Sequence, residues 1–384
     1  MNRETAYPIN VESAGRTSRG DHVLIAGILL LTGLGLVTLY SSSYAFAERF
    51  FGNGLYFISR QAVLGTAGLI LFFLASRIRL EILRKWIKPL VIGTAALCLL
   101  TFAPGIGVIK NGAARWIRLG PHTYQPSELV KLVLPLYLAH IFDKKKERID
   151  SFAAGILPPV LVTGLFFALI CLENNFSTAV FIAVNVLFVF FIAGVRLRYF
   201  LAAAVILLPL SALLILTREH RIRRLISFIW PEWDVLGAGY QVRASILTIG
   251  SGGFLGKGLG QGTRKIASVP EIHSDFIFSS FAEESGLLGV SLFFAIFIIF
   301  TIQGYRAFLR VEDPFRKLLA FGMVTMIASQ TLLNIAVVSG FLPATGIPLP
   351  FFSAGGSSLA TTLLMSGLIV NVSRSEGKPE VKRV

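Results

Sequence analysis

Residues 23–43, VLIAGILLLTGLGLVTLYSSS, carry no charged side chain. The hydrocarbon core of a bilayer is about 30 Å thick and an α-helix rises about 1.5 Å per residue, so about 20 apolar residues cross it. This stretch therefore reads as a membrane span. Ala45-Phe46-Ala47 beyond it has the small-residue spacing of a signal-peptidase site, but the run is longer than the about 7–15 apolar residues of a cleavable leader. It is expected to remain as an anchor.

Further runs of the same kind follow at 62–76, 90–103, 127–142, 153–172, 176–195, 200–217, 285–305, 318–339 and 356–372. The expected fold is all-α: a polytopic membrane domain of about ten transmembrane helices over 23–372. Polar tails flank it at 1–22 and 373–384, and a large outer loop at 217–276 lies between spans seven and eight. Composition agrees. The chain is 54% hydrophobic and 15% charged, where a soluble domain has about one quarter charged residues, and its mean hydropathy is +0.72. Two cysteines, Cys98 and Cys171, both inside apolar runs, read as small buried thiols and exclude a disulfide scaffold. The net charge of +15 is distributed between apolar runs rather than over a soluble face. It therefore reports topology and contact with membrane lipids, and no nucleic-acid partner is expected.

Short loops rich in Lys and Arg resist translocation. With the N-terminus inside, 22 Lys and Arg fall in cytoplasmic segments and five in the short outer loops, which places both termini in the cytoplasm. Three irregular, glycine- and proline-rich segments then share the outer side: 110–131, the loop 217–276, and 345–358. Irregular backbone cannot face lipid, so such segments pack in protein or line a wet cavity. Their convergence on one face marks a site.

Within the loop, the glycine run 250–262 lacks a phosphate-binding Walker pattern, because Ser251 and Gly258 stand where that motif needs Gly and Ser or Thr. It reads either as a flexible connector or, with Arg243, Lys257, Arg264 and Lys265 beside it, as a surface that meets an anion such as a lipid headgroup or a pyrophosphate. Glu128 and Lys131 lie three apart on one helix face, as a structural ion pair or as substrate-handling groups; Ser127 or a neighbour is a candidate cap for their helix. Glu271, His273 and Asp275 alternate before the eighth span. No second ligand cluster accompanies them, and on spacing alone Asp275 reads first as an N-cap and otherwise as a functional carboxylate. Glu283-Glu284 reads as a solvated helix end.

The three outer segments resemble, in order and spacing, the SEDS family of bacterial cell-wall proteins that includes FtsW, RodA and SpoVE. The resemblance rests on Gly112-Ala113-Ala114-Arg115-Trp116-Ile117 with Gln125-Pro126-Ser127-Glu128-Leu129-Val130-Lys131, on the glycine run followed by Pro270-Glu271-Ile272-His273-Ser274-Asp275, and on Pro348-Leu349-Pro350-Phe351 to Ser358. Arg223 to Phe228 and Gly239-Tyr240-Gln241 look more like FtsW-type members, whereas Gly256 to Gly260 and Thr345 to Pro348 look as much like RodA-type ones.

The resemblance implies a ten-helix glycosyltransferase of the bacterial cytoplasmic membrane. It would polymerise lipid II into peptidoglycan strands on the outer face, at the septum for a division enzyme. It also implies a class B penicillin-binding protein as partner, beside other division or elongation proteins. Carried over residue by residue, it makes Asp275 the essential acid and adds Arg115, Trp116, Glu128 and Lys131 to the site. One departure stands out: Asn174-Asn175-Phe176-Ser177-Thr178 replaces the usual Pro-Asp-Phe-Gly-Thr, so the acidic group is missing.

The chemistry needs a carboxylate to take a hydroxyl proton and cations to hold the leaving pyrophosphate. Asp275 is the candidate base, and Arg115, Lys257, Arg264 or Lys265 the candidate cations; Glu271 and His273 flank the base. A divalent ion, Mg or Mn, would serve the leaving group equally well. The competing functions are a lipid II flippase and a non-catalytic scaffold of the division machinery. A transporter would set ionisable groups near the midplane of several spans, whereas the polar signals here crowd the outer edge.

Overall fold

The computed structural model describes residues 19–110, 112–120, 122–230, 233, 237–262 and 272–374. Arg264, Lys265, Glu271 and most of both tails lie outside them. Among the described residues there are twelve α-helices and one small sheet. Ten helices of 16 residues or more follow the ten expected spans: α1 Arg19–Phe51, α2 Tyr56–Ala75, α3 Leu80–Leu100, α4 Pro126–Lys144, α5 Leu157–Leu172, α6 Phe176–Ile192, α7 Leu197–Leu216, α10 Ile277–Arg310, α11 Pro314–Val338 and α12 Gly356–Arg374. The two remaining helices, α8 Glu219–Ile229 and α9 Ala238–Ser251, belong to the large loop.

By length and composition seven helical segments can cross a membrane: α1, α2, Phe152–Leu172, α7, α10, α11 and α12. The other three expected spans fall on α3 and α4, which carry charged residues within their length, and on α6, which has 17 residues. Several helices run beyond the apolar stretch that announced them, α3 by ten residues at its start and α10 by eight, because a helix continues past the hydrocarbon into the polar interface. The Ala45-Phe46-Ala47 triplet is one such extension, lying inside α1 with Ala47 fully buried.

Helix α12 is the centre of the bundle, with most of its side chains buried. It packs closely on α2 because small residues let the backbones approach: a Cβ on Gly367 would overlap the Phe72 carbonyl, and one on Gly68 would press on Leu363 and Ala360. Asn371 fastens the pair by donating to the carbonyls of Ala75 and Ile78, both at 2.7 Å, which satisfies groups a helix C-terminus leaves free. Helix α11 begins where its sequence says: Asp313 accepts from the Phe315 amide at 2.8 Å and Pro314 opens the first turn. At the other extreme α7 has no buried residue; in a bilayer such a helix is solvated by lipid.

Helix α10 is broken at Gly286, whose φ of 62° and ψ of −167° are not helical. The glycine run explains the break. Its backbone lies against α10 and bonds across it, Lys257 N to Glu283 O, Gly258 N to Glu284 O and Leu287 N to Gly253 O, each at 3.0 Å. A Cβ at Gly252, Gly256 or Gly286 would overlap facing backbone atoms. The run is therefore not a loose connector: its glycines permit two main chains to touch. Two of the cations expected to make it a surface for an anion, Arg264 and Lys265, lie outside the described residues. Glu283 and Glu284 are not a solvated helix end either. Both are buried, Glu283 accepting from Lys257 Nζ at 2.6 Å and from Ser251 at 3.2 Å, and Glu284 from Ser41 at 2.6 Å and the Gly260 amide at 3.1 Å.

Candidate functional site

The segment expected to be irregular before α4 is an antiparallel sheet of β1 Gly107–Lys110, β2 Ala113–Leu119 and β3 His122–Tyr124, in that order. Lys110 pairs with Ala113 across one turn and Leu119 with His122 across the next. Gly112 and Gly120 stand in those turns at φ of 72° and 59°, where a side chain is strained. Asn111-Gly112 is a hairpin signal in the sequence; strands of three to seven residues are too short for alternation to announce.

This sheet, the α5–α6 turn, the start of α8, the approach to α10 and the turn before α12 enclose one cleft of about 570 Å³. Two of the irregular outer segments and the entry and exit of the third thus line the same space. Lys110, Arg115, Arg218 and Arg224 bring cations, and Asp275 is the one carboxylate among the described lining residues. Trp116 forms part of the wall, with Lys110 Nζ 5.2 Å from its ring centre.

Asp275 sits in the turn before α10. The helix N-cap is Phe276, which makes no side-chain cap, so the capping role open in the sequence is not the one adopted. Its main chain is fixed from α11: Asn334 donates to Asp275 O at 2.9 Å and to Ile347 O at 2.8 Å. One turn earlier Gln330 donates to Pro348 O at 2.8 Å. Lys131 Nζ donates to Gln330 at 3.0 Å and to Glu128 at 2.7 Å. Glu128 and Lys131 do not line the cleft; they lie buried behind its floor and reach it through Gln330. Ser127 caps nothing: α4 starts with Gln125 as N-cap and Pro126 in its first turn, while Ser127 Oγ accepts from Gln125 and Asn175 at 3.0 and 3.2 Å.

The alternation of residues 273 and 275 separates them. His273 turns away from the cleft into an aromatic cluster, 4.3 Å from the Phe57 ring centre and 5.2 Å from that of Phe46, and burial pushes its imidazole down to about 4. It is a packed, neutral side chain. Lys257 is likewise absent from the cleft wall, being bound to Glu283.

The cations that face Asp275 come instead from β2 and α8. Burial lowers the Arg115 and Arg224 guanidinium pKa values, and the Asp275 charge acts on both in the opposite direction. Arg115 donates through Nη2 to the Asn174 carbonyl. Its Nε, the Arg221 Nε and the Thr345 hydroxyl are buried without a hydrogen-bond partner among the described residues. Orphaned donors are uncommon in protein interiors; Arg115 and Thr345 line the cleft and Arg221 the smaller pocket beside it, which suits an anionic, oxygen-rich ligand. Arg218, His220, Arg221 and Arg224 were not among the site residues expected from the sequence, where Arg224 figured only in the family resemblance, although Arg218, Arg221 and Arg224 recur at the three-residue spacing of one helix face.

The departure at Asn174-Asn175 has a local explanation. Asn174 takes a left-handed conformation, φ 59°, which proline cannot reach and asparagine tolerates. There its backbone carbonyl accepts from Arg115 and its side-chain Nδ2 donates to Gly112 O at 3.2 Å. Glu173 beside it is fully buried, and burial pushes its carboxyl up to about 8 against the pull of Cys98 and Arg115.

Comparison with known proteins supplies relatives. The family described as cell cycle protein, FtsW/RodA/SpoVE, matches residues 21–378. The chain is 38% identical to a probable peptidoglycan glycosyltransferase FtsW of Geobacter metallireducens over 94% of this chain and 96% of that one. Among solved structures, it resembles a chain of a peptidoglycan synthase complex described as coordinating polymerization and crosslinking, with a TM-score of 0.76 and 28% identity over 92% and 97% of the two chains. It also resembles the rod shape determining protein RodA of Thermus thermophilus, with a TM-score of 0.67 and 28% identity over 93% and 97%.

Proposed function

The chain belongs to the FtsW/RodA/SpoVE family of multi-pass membrane proteins, and on that premise we propose how it works as a peptidoglycan glycosyltransferase. The substrate is lipid II, and the cleft around Asp275 is where strands are extended. Both termini lie in the cytoplasm and the cleft opens outward, as the distribution of Lys and Arg supports. The observation that carries the reading is one carboxylate set among four cations in a cleft of about 570 Å³.

In the reaction an acceptor sugar hydroxyl attacks the anomeric carbon of a lipid-linked donor. The new carbon–oxygen bond forms as the bond from that carbon to the pyrophosphate oxygen breaks, and Asp275 accepts the hydroxyl proton. Arg115, Arg218, Arg224 and Lys110 stabilise the negative charge that gathers on the departing pyrophosphate. Asn334 keeps Asp275 at its place by holding both strands of backbone that meet there. Asp275 is the cleft carboxylate that would hold a divalent ion together with substrate phosphates; such an ion would neutralise leaving-group charge.

The polar groups gather at one end of the bundle. Glu128 belongs to the first turn of α4 and Lys131 to the next, so the buried pair sits toward the cleft end rather than at a midplane. This supports chemistry on one face over transport. A class B penicillin-binding protein is the working partner. Purified chain incubated with that partner and lipid II is expected to make long glycan strands; transbilayer movement of lipid II without polymer would instead identify a flippase, and neither activity a scaffold.

A further inference from the structure

A second cavity, about 380 Å³, lies between α8, α9 and the turn at 340–344, inside the roughly 300–1,000 Å³ range of small-molecule sites. Its wall has two characters. Phe228, Val242, Ile246 and Pro343 are apolar, while Arg224 and Arg243 are its charged side chains, and no carboxylate lines it among the described residues. Arg224 Nη1 donates to the Ala344 and Thr345 carbonyls at 3.3 and 3.4 Å and feels the Asp275 charge, Arg243 is exposed, and the two guanidiniums together offer the charge-assisted donors that bind phosphate oxygens. Arg224 also lines the cleft that holds Asp275, so the two spaces adjoin at one side chain.

We infer that this cavity holds the phosphate end of a polyisoprenyl lipid, its phosphate between Arg224 and Arg243 and its first isoprene units on Phe228, Val242, Ile246 and Pro343. The assignment rests on the reading of the neighbouring cleft as the place where a lipid pyrophosphate is displaced. Charge decides between lipid sources. A phosphodiester headgroup carries one negative charge, whereas a phosphomonoester carries about two and a lipid pyrophosphate more, enough to engage both guanidiniums. Position agrees: a lipid that has given up its sugars beside Arg224 needs only to pass that side chain to enter the second space. The cavity would then receive one lipid while the cleft takes the next.

The test uses full-length protein in detergent and an undecaprenyl phosphate analogue with a photoreactive group on its first isoprene units. Labelling is expected in residues 239–247 or 340–344, competed by undecaprenyl phosphate but not by undecaprenol or phosphatidylglycerol. Arg243→Glu should lower the yield at least tenfold. Ile246→Trp, which fills the cavity from its apolar wall, should do the same without changing charge. Labelling elsewhere, equal labelling of both variants, or equal competition by phosphatidylglycerol would overturn the assignment. Polymerisation measured in parallel separates the two readings: glycan product without cavity labelling removes this inference alone, and cavity labelling without product removes the reading of the cleft.

Discussion

Replacing Lys131 with methionine removes a charge and leaves the chain length nearly unchanged. Lys131 is 1% exposed and Glu128 4%, so the carboxylate that remains is cut off from water and has lost the cation it pairs with among the described residues. Breaking a buried pair from one side costs about 3–5 kcal/mol. Gln330 loses its contact with Lys131 in the same step, and with it the tie that steadies Pro348. At about 1.4 kcal/mol per factor of ten, the folding equilibrium should fall by a factor of roughly 10² to a few times 10³. Removing both charges, Lys131→Met with Glu128→Leu, eliminates the stranded carboxylate and should recover most of that loss, since an apolar pair of similar volume is often neutral. Thermal unfolding of the three proteins in one detergent measures the effect. A double variant no more stable than Lys131→Met would refute the argument from an uncompensated buried charge.

Glu173 should give a pH signature. Its folded pKa of about 8 lies above the ordinary carboxyl value of 4.5, so the folded state binds the extra proton between those values, and stability falls as pH rises from about 4.5 to 8. Glu173→Gln should match wild type near pH 5 and unfold at higher temperature near pH 8; parallel curves across that range would count against a protonated Glu173. At Asn174, glycine keeps the left-handed turn and should change stability by no more than about 1 kcal/mol, whereas Asn174→Pro should break the contact with Arg115 and slow polymerisation; equal rates for the two variants would contradict the turn's role. Gly256→Val should abolish the folded protein, since φ is 80° and a Cβ meets the Glu284 backbone; normal yield and monodispersity would show the close packing to be dispensable.

The bundle was legible because long uncharged runs leave few alternatives in a bilayer, and each expected span has a helix at its centre. Helix ends were less legible, since the hydrocarbon boundary is where hydropathy changes and not where the hydrogen-bond ladder stops. Asp275, Arg115 and Trp116 could be placed at the cleft from their loops. Lys257 and His273 could not be separated from it, because distance along the chain says nothing of which side a turn presents: two residues apart, His273 enters an aromatic cluster and Asp275 enters the cleft. The arginines of α8 were hidden for a related reason. A basic run in a long loop looks like solvated surface until the helix that carries it is seen lying against the site. Gln330 and Asn334, inside an apolar span, show only in three dimensions that they hold the cleft's backbone.

The central claim is that Asp275 takes the proton from the attacking hydroxyl. Asp275→Asn preserves size and hydrogen-bonding shape but cannot accept that proton, and because Asp275 is not the N-cap of α10, the fold should tolerate it. The rate of lipid II polymerisation by the purified variant with its penicillin-binding partner should fall by a factor on the order of 10² or more, while its thermal unfolding and partner binding match wild type. A well-folded Asp275→Asn protein that polymerises lipid II at near wild-type rate would contradict the assignment.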